Sequence, residues 1–392
     1  MIREVVITSA CRTPIGSFGG CLSGMSAPKL GAVVVKEAVA RTGIHADQVD
    51  QVIMGCVLPA GTGQAPARQA ALYAGLPESV ECLTINKVCG SGLKSVMLAA
   101  QAVALGDADI IVAGGMESMS NVPYLLDKAR SGYRLGHGQL IDGIVKDGLW
   151  DVYNDFHMGN AGELCAAECG ITREEQDKFA TLSYRRALEA MEKGRFRDEI
   201  VPVGIERKDG NPLIIAEDEE PKKVKFDKIA SLRPVFQKEG TITAANASKI
   251  NDGAAAVVLM AREKAESLGI RPMVTIIAQA SAAKKPEWFT TAPADAIRKV
   301  LNKVNLKTSD IDLFEINEAF AVVTIAVNNL LKLDVNNVNI NGGAIALGHP
   351  IGASGTRILV TLLYAMEQRN VKRGIASLCI GGGEASALLV VR

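Results

Sequence analysis

Three reactive side chains stand in glycine-rich segments of this 392-residue chain: Cys89 in NKVCGSGLKS, His349 in NGGAIALGHPIGASG and Cys379 in SLCIGGGEAS. A thiol is a useful nucleophile only as its thiolate. At the end of a strand and the start of a helix, Cys89 gains the positive helix end that favours the anion, while its glycine neighbours leave room for a substrate. The plain alternative is a small buried cysteine closing a strand. Of the four histidines, His45, His137, His157 and His349, only His349 lies between a glycine and a proline, Gly348 and Pro350, at the start of a helix. That backbone suits an aimed imidazole, and a ring titrating near the usual value of about 6.5 takes a thiol proton and returns it at neutral pH. Cys379 ends the strand GIASLC and is followed by Gly381, Gly382 and Gly383, whose amide N–H groups are free to face an oxyanion.

Two cysteines and a histidine meeting at one point admit three readings: a redox disulfide, a metal site, or a nucleophile with a separate acid/base. A disulfide needs the sulfurs in bonding contact, and a metal site wants a fourth ligand and supporting carboxylates that these loops lack. The third reading suits carbon–carbon bond formation or cleavage between thioesters. One thiol holds an acyl group, the other removes an α-proton from a second thioester, and His349 with Asn317 of NEAF stabilises the enolate oxygen.

The elements that must position these residues follow an α/β grammar. Strand-like VVITSA is followed by a helix over 27–42, then by DQVIMGCV, a helix over 65–74, LTINKV, a helix from Cys89 to Leu105, and the doubly buried strand ADIIVAGGMES. Past Ser118 the pattern becomes irregular, glycine-rich and charged up to Asn246. The exception is a helix capped by Thr172 with Glu175 three residues on, whose Phe179, Leu182, Ala187 and Leu188 form a docking face. From Pro272 a second half resembles the first. Residues 47–61 match 309–323, 86–95 match 348–357, and 108–118 match 374–386, in the same order and at similar intervals. A duplicated fold sets equivalent loops face to face, which brings Cys89 to His349. The expected division is an N-terminal half, 1–268, with core 1–118 and 247–268 and an inserted loop domain 119–246, and a C-terminal half, 269–392.

Composition narrows the partners. Lys+Arg and Asp+Glu both number 43, so no overall field recruits nucleic acid or membrane, and a small molecule is the expected partner. The run Lys222, Lys223, Lys225 and Lys228 is the best local patch for an anion. Eight scattered cysteines and no secretory signal point to reduced thiols in the cytoplasm. Cys165 and Cys169 alone do not make a zinc site. No apolar run is expected to reach membrane-spanning length.

At INKVCGSGLKS, DIIVAGGMESMS, DGLWDVYNDFHMG, GTITAANASKINDGAAAV, INEAFA, NGGAIALGHPIGASGTR and LCIGGGEA the chain resembles the thiolases, in particular their biosynthetic acetyl-CoA C-acetyltransferase branch. The resemblance spans nearly the whole length. It implies two duplicated βαβαβαββ halves in five layers, α-β-α-β-α, with an inserted loop domain, assembled as a homotetramer of tight dimers. It implies the reversible condensation of two acetyl-CoA to acetoacetyl-CoA and CoA through acetyl-Cys89, with no separate cofactor and no metal. His349 would activate Cys89, Cys379 would be the acid/base, Asn317 would hold an oxyanion water, and the amides of Cys89 and Gly381 would form a second hole. Ser248, His157, Met158 and Phe320 would line the CoA tunnel, and Leu149 with Met158 would keep the acyl pocket short. A degradative 3-ketoacyl-CoA thiolase, a ketoacyl synthase and a non-catalytic CoA carrier are the alternatives. Lys249 stands where the family usually has glycine, and NAGELCAAE departs from the usual run after HMG.

Overall fold

The structure, a computed structural model, describes residues 2–207 and 210–392. Its core strands are β1 (Val5–Arg12), β2 (Gln51–Gly55), β3 (Glu81–Ile85), β4 (Ile110–Ser118), β5 (Asn251–Ala261), β6 (Val274–Ala283), β7 (Leu313–Ile316), β8 (Arg373–Ile380) and β9 (Glu384–Val391). The main helices are α1 (Ala27–Thr42), α2 (Pro66–Tyr73), α3 (Ser91–Leu105), α4 (Met158–Glu168), α5 (Arg173–Glu192), α6 (Arg262–Ser267), α7 (Ala292–Lys303), α8 (Ala321–Leu331), α9 (Ala344–Leu347) and α10 (Ile351–Arg369).

The nine strands lie in the order β7-β8-β9-β6-β1-β5-β4-β2-β3. The order mirrors itself about the junction of β1 and β6, two strands joined by only two residue pairs, Val6 with Thr275 and Ile7 with Val274. Each half-sheet packs helices on both faces because its strands alternate. Ala255, Val257 and Leu259 of β5 face α3 and α10, whereas Ala254, Ala256 and Val258 face α1 and α2. Ala376 and Leu378 of β8 meet the same central helices, while Ile375 joins the cluster under α7. Five layers result: α1 and α2, a half-sheet, α3 with α10, the second half-sheet, and α7 with α8.

The first half follows the expected strand–helix succession. In the second, the counterpart of β3 shrinks to a single bridge between Val338 and Phe314. Against the expectation that no apolar run reaches membrane-spanning length, the window Val88–Leu105 spans 18 residues at mean hydropathy 1.4. It is α3 with its approach, whose Leu93, Val96 and Met97 pack in the central layer.

Residues 119–250 connect β4 to its antiparallel neighbour β5. Thr172 caps α5 as its sequence indicates: its Oγ1 accepts from Glu175 N at 3.2 Å, and Glu175 Oε2 accepts from Thr172 N at 2.7 Å. The docking face is rotated from the expected one. Gln176, Phe179, Ala180, Ser183, Tyr184, Ala187 and Ala190 are buried, while Leu182 and Leu188 sit at the margin. Lys222 pairs with Glu217, and Lys223 with Glu219 at 2.8 Å and with Ser17, so neighbouring acids occupy half of the expected anion patch.

Candidate active site

Cys89 lies in a tight turn between β3 and α3. Asn86 Oδ1 accepts the Val88 amide at 2.9 Å, and Ser91 Oγ donates to Val88 O at 2.7 Å while accepting the Lys87 amide at 2.8 Å. These bonds hold Val88 at φ 45°, a left-handed conformation that a β-branched residue adopts only under constraint. Gly90 and Gly92 permit the close approach. A Cβ on Gly90 would collide with Ile380 at the end of β8, and one on Gly92 would stand 2.8 Å from Thr356 N in α10.

His349 is fixed from several sides. Gly348 has φ 110°, and a Cβ there would lie 2.5 Å from the Asn251 side chain. The His349 amide donates to Asn251 Oδ1 at 2.9 Å and to Lys249 O at 3.2 Å. Its Nδ1 is 2.6 Å from Ser354 Oγ, whose own hydrogen goes to Pro350 O at 2.9 Å. The ring therefore carries its proton on Nδ1, and Nε2, 3.5 Å from Asn317 Nδ2, keeps its lone pair. Asn317 is fully buried, and its Oδ1 has no partner among the described residues.

Cys89, His349, Cys379, Gly381, Ser248, His157, Met158, Leu149 and Phe320 all line one cavity of about 470 Å³, and Asn317 stands against it through His349. The remaining histidines lie elsewhere: His45 precedes a short turn and His137 is exposed. Phe236 also lines the cavity and was not legible from any motif. It stacks on His157, with ring centroids 4.7 Å apart, and meets Phe320 edge-on at 6.1 Å. Of the glycines after Cys379 only Gly381 reaches the cavity; Gly382 and Gly383, at φ 85° and 87°, form the turn into β9.

The electrostatics differ from the sequence expectation. Burial pushes the Cys89 thiol up to about 11, although the amides of Gly381 and of Cys89 itself favour the anion, so no resting thiolate forms at the helix start. Burial, then the Arg357 guanidinium, holds His349 down at about 3 rather than near its ordinary value, so the ring is a neutral base. Cys379 is raised well above the usual thiol range by burial and by the neighbouring Cys89. Each charge is unwelcome alone in this enclosed site. Thiolate and imidazolium formed together supply the counter-charge that burial denies to either.

A duplicated five-layered α/β fold with two thiols and a neutral imidazole on one apolar cavity defines an acyl-transferring enzyme of the thiolase type. The family model "Thiolase, N-terminal domain" matches residues 5–263 and "Thiolase, C-terminal domain" matches 270–392. The chain belongs to the thiolase family. It is 53% identical over 392 residues to an acetyl-CoA acetyltransferase of Cupriavidus necator and 51% identical to one of Pseudomonas aeruginosa, each pairing covering both chains completely. A crystal structure of the Bacillus anthracis acetyl-CoA acetyltransferase superposes with TM-score 0.97 at 43% identity, covering 100% of this chain and 99% of that one.

Proposed function

We propose that the chain is an acetyl-CoA C-acetyltransferase that condenses two acetyl-CoA into acetoacetyl-CoA and CoA, reversibly. The observation that carries this reading is the meeting of Cys89, unprotonated His349 Nε2, Cys379 and the Gly381 amide on one cavity. The thioesters are the substrates, and the chemistry calls for no separate cofactor.

In the first half-reaction Cys89 Sγ attacks the acetyl carbonyl carbon while Nε2 of His349 takes the thiol proton. The oxyanion is met by the amides of Cys89 and Gly381, both of which face the Cys89 sulfur. Collapse expels the CoA sulfur, which takes its proton from the Cys379 thiol and leaves acetyl-Cys89, a Cys379 thiolate and a His349 imidazolium that balance each other's charge. A second acetyl-CoA then enters. Cys379, as its thiolate, removes an α-proton, and the enolate oxygen is stabilised by His349 and by a water held on Asn317. The carbon nucleophile attacks acetyl-Cys89, the Cys89 sulfur leaves and takes back the proton held on His349, and Cys379 keeps the α-proton as a thiol, which restores the resting site. Leu149 and Met158 close the acyl end and favour a short chain, while His157, Phe320 and Ser248 line the path for pantetheine.

Incubation with acetyl-CoA followed by intact-mass analysis checks the mechanism: one acetyl adduct on Cys89 is expected, absent in Cys89→Ala. Thiolysis over a series of chain lengths completes the test. Equal rates on acetoacetyl-CoA and on long-chain 3-ketoacyl-CoA would replace this reading with the broader degradative one. The assembly we infer is a homotetramer of 41.4 kDa chains, supported by the bare edge of β3 and its half-exposed Leu83 and checked by light scattering. Residues 119–246 are read as an inserted domain. A cytoplasmic location is supported by eight free cysteines, and cell fractionation checks it.

A further inference from the structure

Glu117 closes β4 with no exposed surface, and its two oxygens meet four donors. Oε2 accepts from the amides of Val57 at 3.0 Å and Gly352 at 2.9 Å; Oε1 accepts from the Leu58 amide at 3.2 Å and the Cys56 thiol at 3.8 Å. A carboxylate has four lone-pair sites, and all four are used. The donors come from two places: the loop that follows β2, and the first turn of α10, three residues after His349.

Both places belong to the cavity's frame. Leu58 and Ile351 pack with Leu149 and Cys89 in one apolar cluster behind the acyl pocket. The fit at Gly352 leaves no slack, since a Cβ there would stand 2.6 Å from Glu117 Oε2 and 2.7 Å from Met116 O. Burial raises the Glu117 carboxyl to about 7 against these donors, and its charge in turn raises Cys89. The titratable groups that act on Glu117 or feel it are Cys56, beyond the end of β2, and Cys89, before α3.

We propose that Glu117 is a positioning residue for acyl transfer: its carboxylate ties the loop after β2 to the first turn of α10 and so fixes His349 and the pocket floor relative to Cys89. The proposal rests on the acyl-transfer reading above. It singles out a carboxylate because an amide of the same shape accepts at one oxygen only and turns an NH2 toward backbone N–H groups.

The test compares Glu117→Gln, Glu117→Asp and Gly352→Ala in the full-length enzyme, measuring kcat and KM for acetyl-CoA and the pH profile of Cys89 alkylation by iodoacetamide. A displaced base costs about tenfold to a hundredfold in kcat, while KM stays within about twofold because the pantetheine path is untouched. Glu117→Gln also removes a negative charge near Cys89, so its alkylation profile shifts to lower pH even as turnover falls. Glu117→Asp and Gly352→Ala keep the charge and lose the geometry, so kcat falls and the alkylation profile stays. Wild-type kcat in Glu117→Gln overturns the proposal, and so does a parallel fall of kcat and alkylation with a lowered Tm. Should Glu117→Gln be insoluble, the other two variants decide by the same criteria. Alkylation needs no acetyl-CoA and the mass adduct on wild-type Cys89 needs no variant, so failure of the acyl-transfer reading and failure of this proposal are separable.

Discussion

At His349, burial and Arg357 both disfavour the imidazolium, and the ring stays neutral until about pH 3. In the unfolded chain the same ring titrates near its ordinary value of about 6.5. Above that pH both states carry a neutral ring, and His349 adds no pH dependence to stability. As pH falls from about 6.5 toward 3, the unfolded chain binds a proton that the folded chain refuses, and stability drops by up to about 1.4 kcal/mol per pH unit. Glu117 and Glu315, raised by burial to about 7 and about 8, act in the opposite sense: their contribution is present below about pH 4.5 and is lost as pH rises through those values. Replacing His349 by Asn therefore flattens the acid side of the stability curve. The Tm of the variant should gain on wild type as pH falls from 6.5 to 4, measured by scanning calorimetry; a constant difference counts against a buried neutral imidazole. The reactive trio was legible because glycines and a proline mark where backbone must turn or approach closely. Glu117, Asn251, Ser354 and Phe236 were not legible. Their partners lie 235, 98, 5 and 79 residues away in turn, and nothing in that spacing announces the contacts.

Cys89 and His349 meet because the first turns of α3 and α10 cross without side chains between them. Gly92 lies on Thr356, and Gly355 lies on the Leu93 amide so closely that a Cβ would collide with it. Backbone, unlike the tip of a long side chain, does not yield. Gly355→Ala should separate the helices, lower stability by about 1–3 kcal/mol through overpacking, and cut acetylation of Cys89 far more than it weakens CoA binding. Urea titration and burst kinetics measure the two effects, and unchanged burst amplitude and rate would remove the crossing from the mechanism. The sequence repeat anticipated this crossing, since NKVCGSGLKS and GHPIGASGTR are its two sides. With Met54 aligned on Ile316, the strand ladders place Gly114 on Ser377 and therefore Met116 on Cys379, so the second thiol is an innovation of one half. Less legible was the loss of a third strand from the second half. A one-residue bridge at Val338 leaves no periodicity to read.

The two halves share the central layer so completely that neither owns it. Leu93, Val96, Ile111 and Val257 of the first half interlock with Ile358, Leu362, Leu378 and Leu388 of the second, all at 0% exposure. Each such side chain contributes about 1.5–3 kcal/mol by leaving water, so separating the halves would forfeit the main apolar cluster of both. The duplication seen in the sequence is therefore a repeat of pattern and not of autonomous stability. The connection at β1 and β6 rests on two residue pairs and could not hold the halves by itself. Unfolding in urea is expected as one transition, with far-UV circular dichroism superimposing on the fluorescence of Trp288 in the second half, read in a Trp150→Phe background that leaves Trp288 the single indole. Leu362→Ala leaves a cavity in the shared layer, costs about 2–5 kcal/mol, and should move both curves together, although the substitution lies in only one half. Two resolved transitions, or a shift confined to the fluorescence signal, would show instead that each half keeps a core of its own and that the site is assembled by docking two stable units.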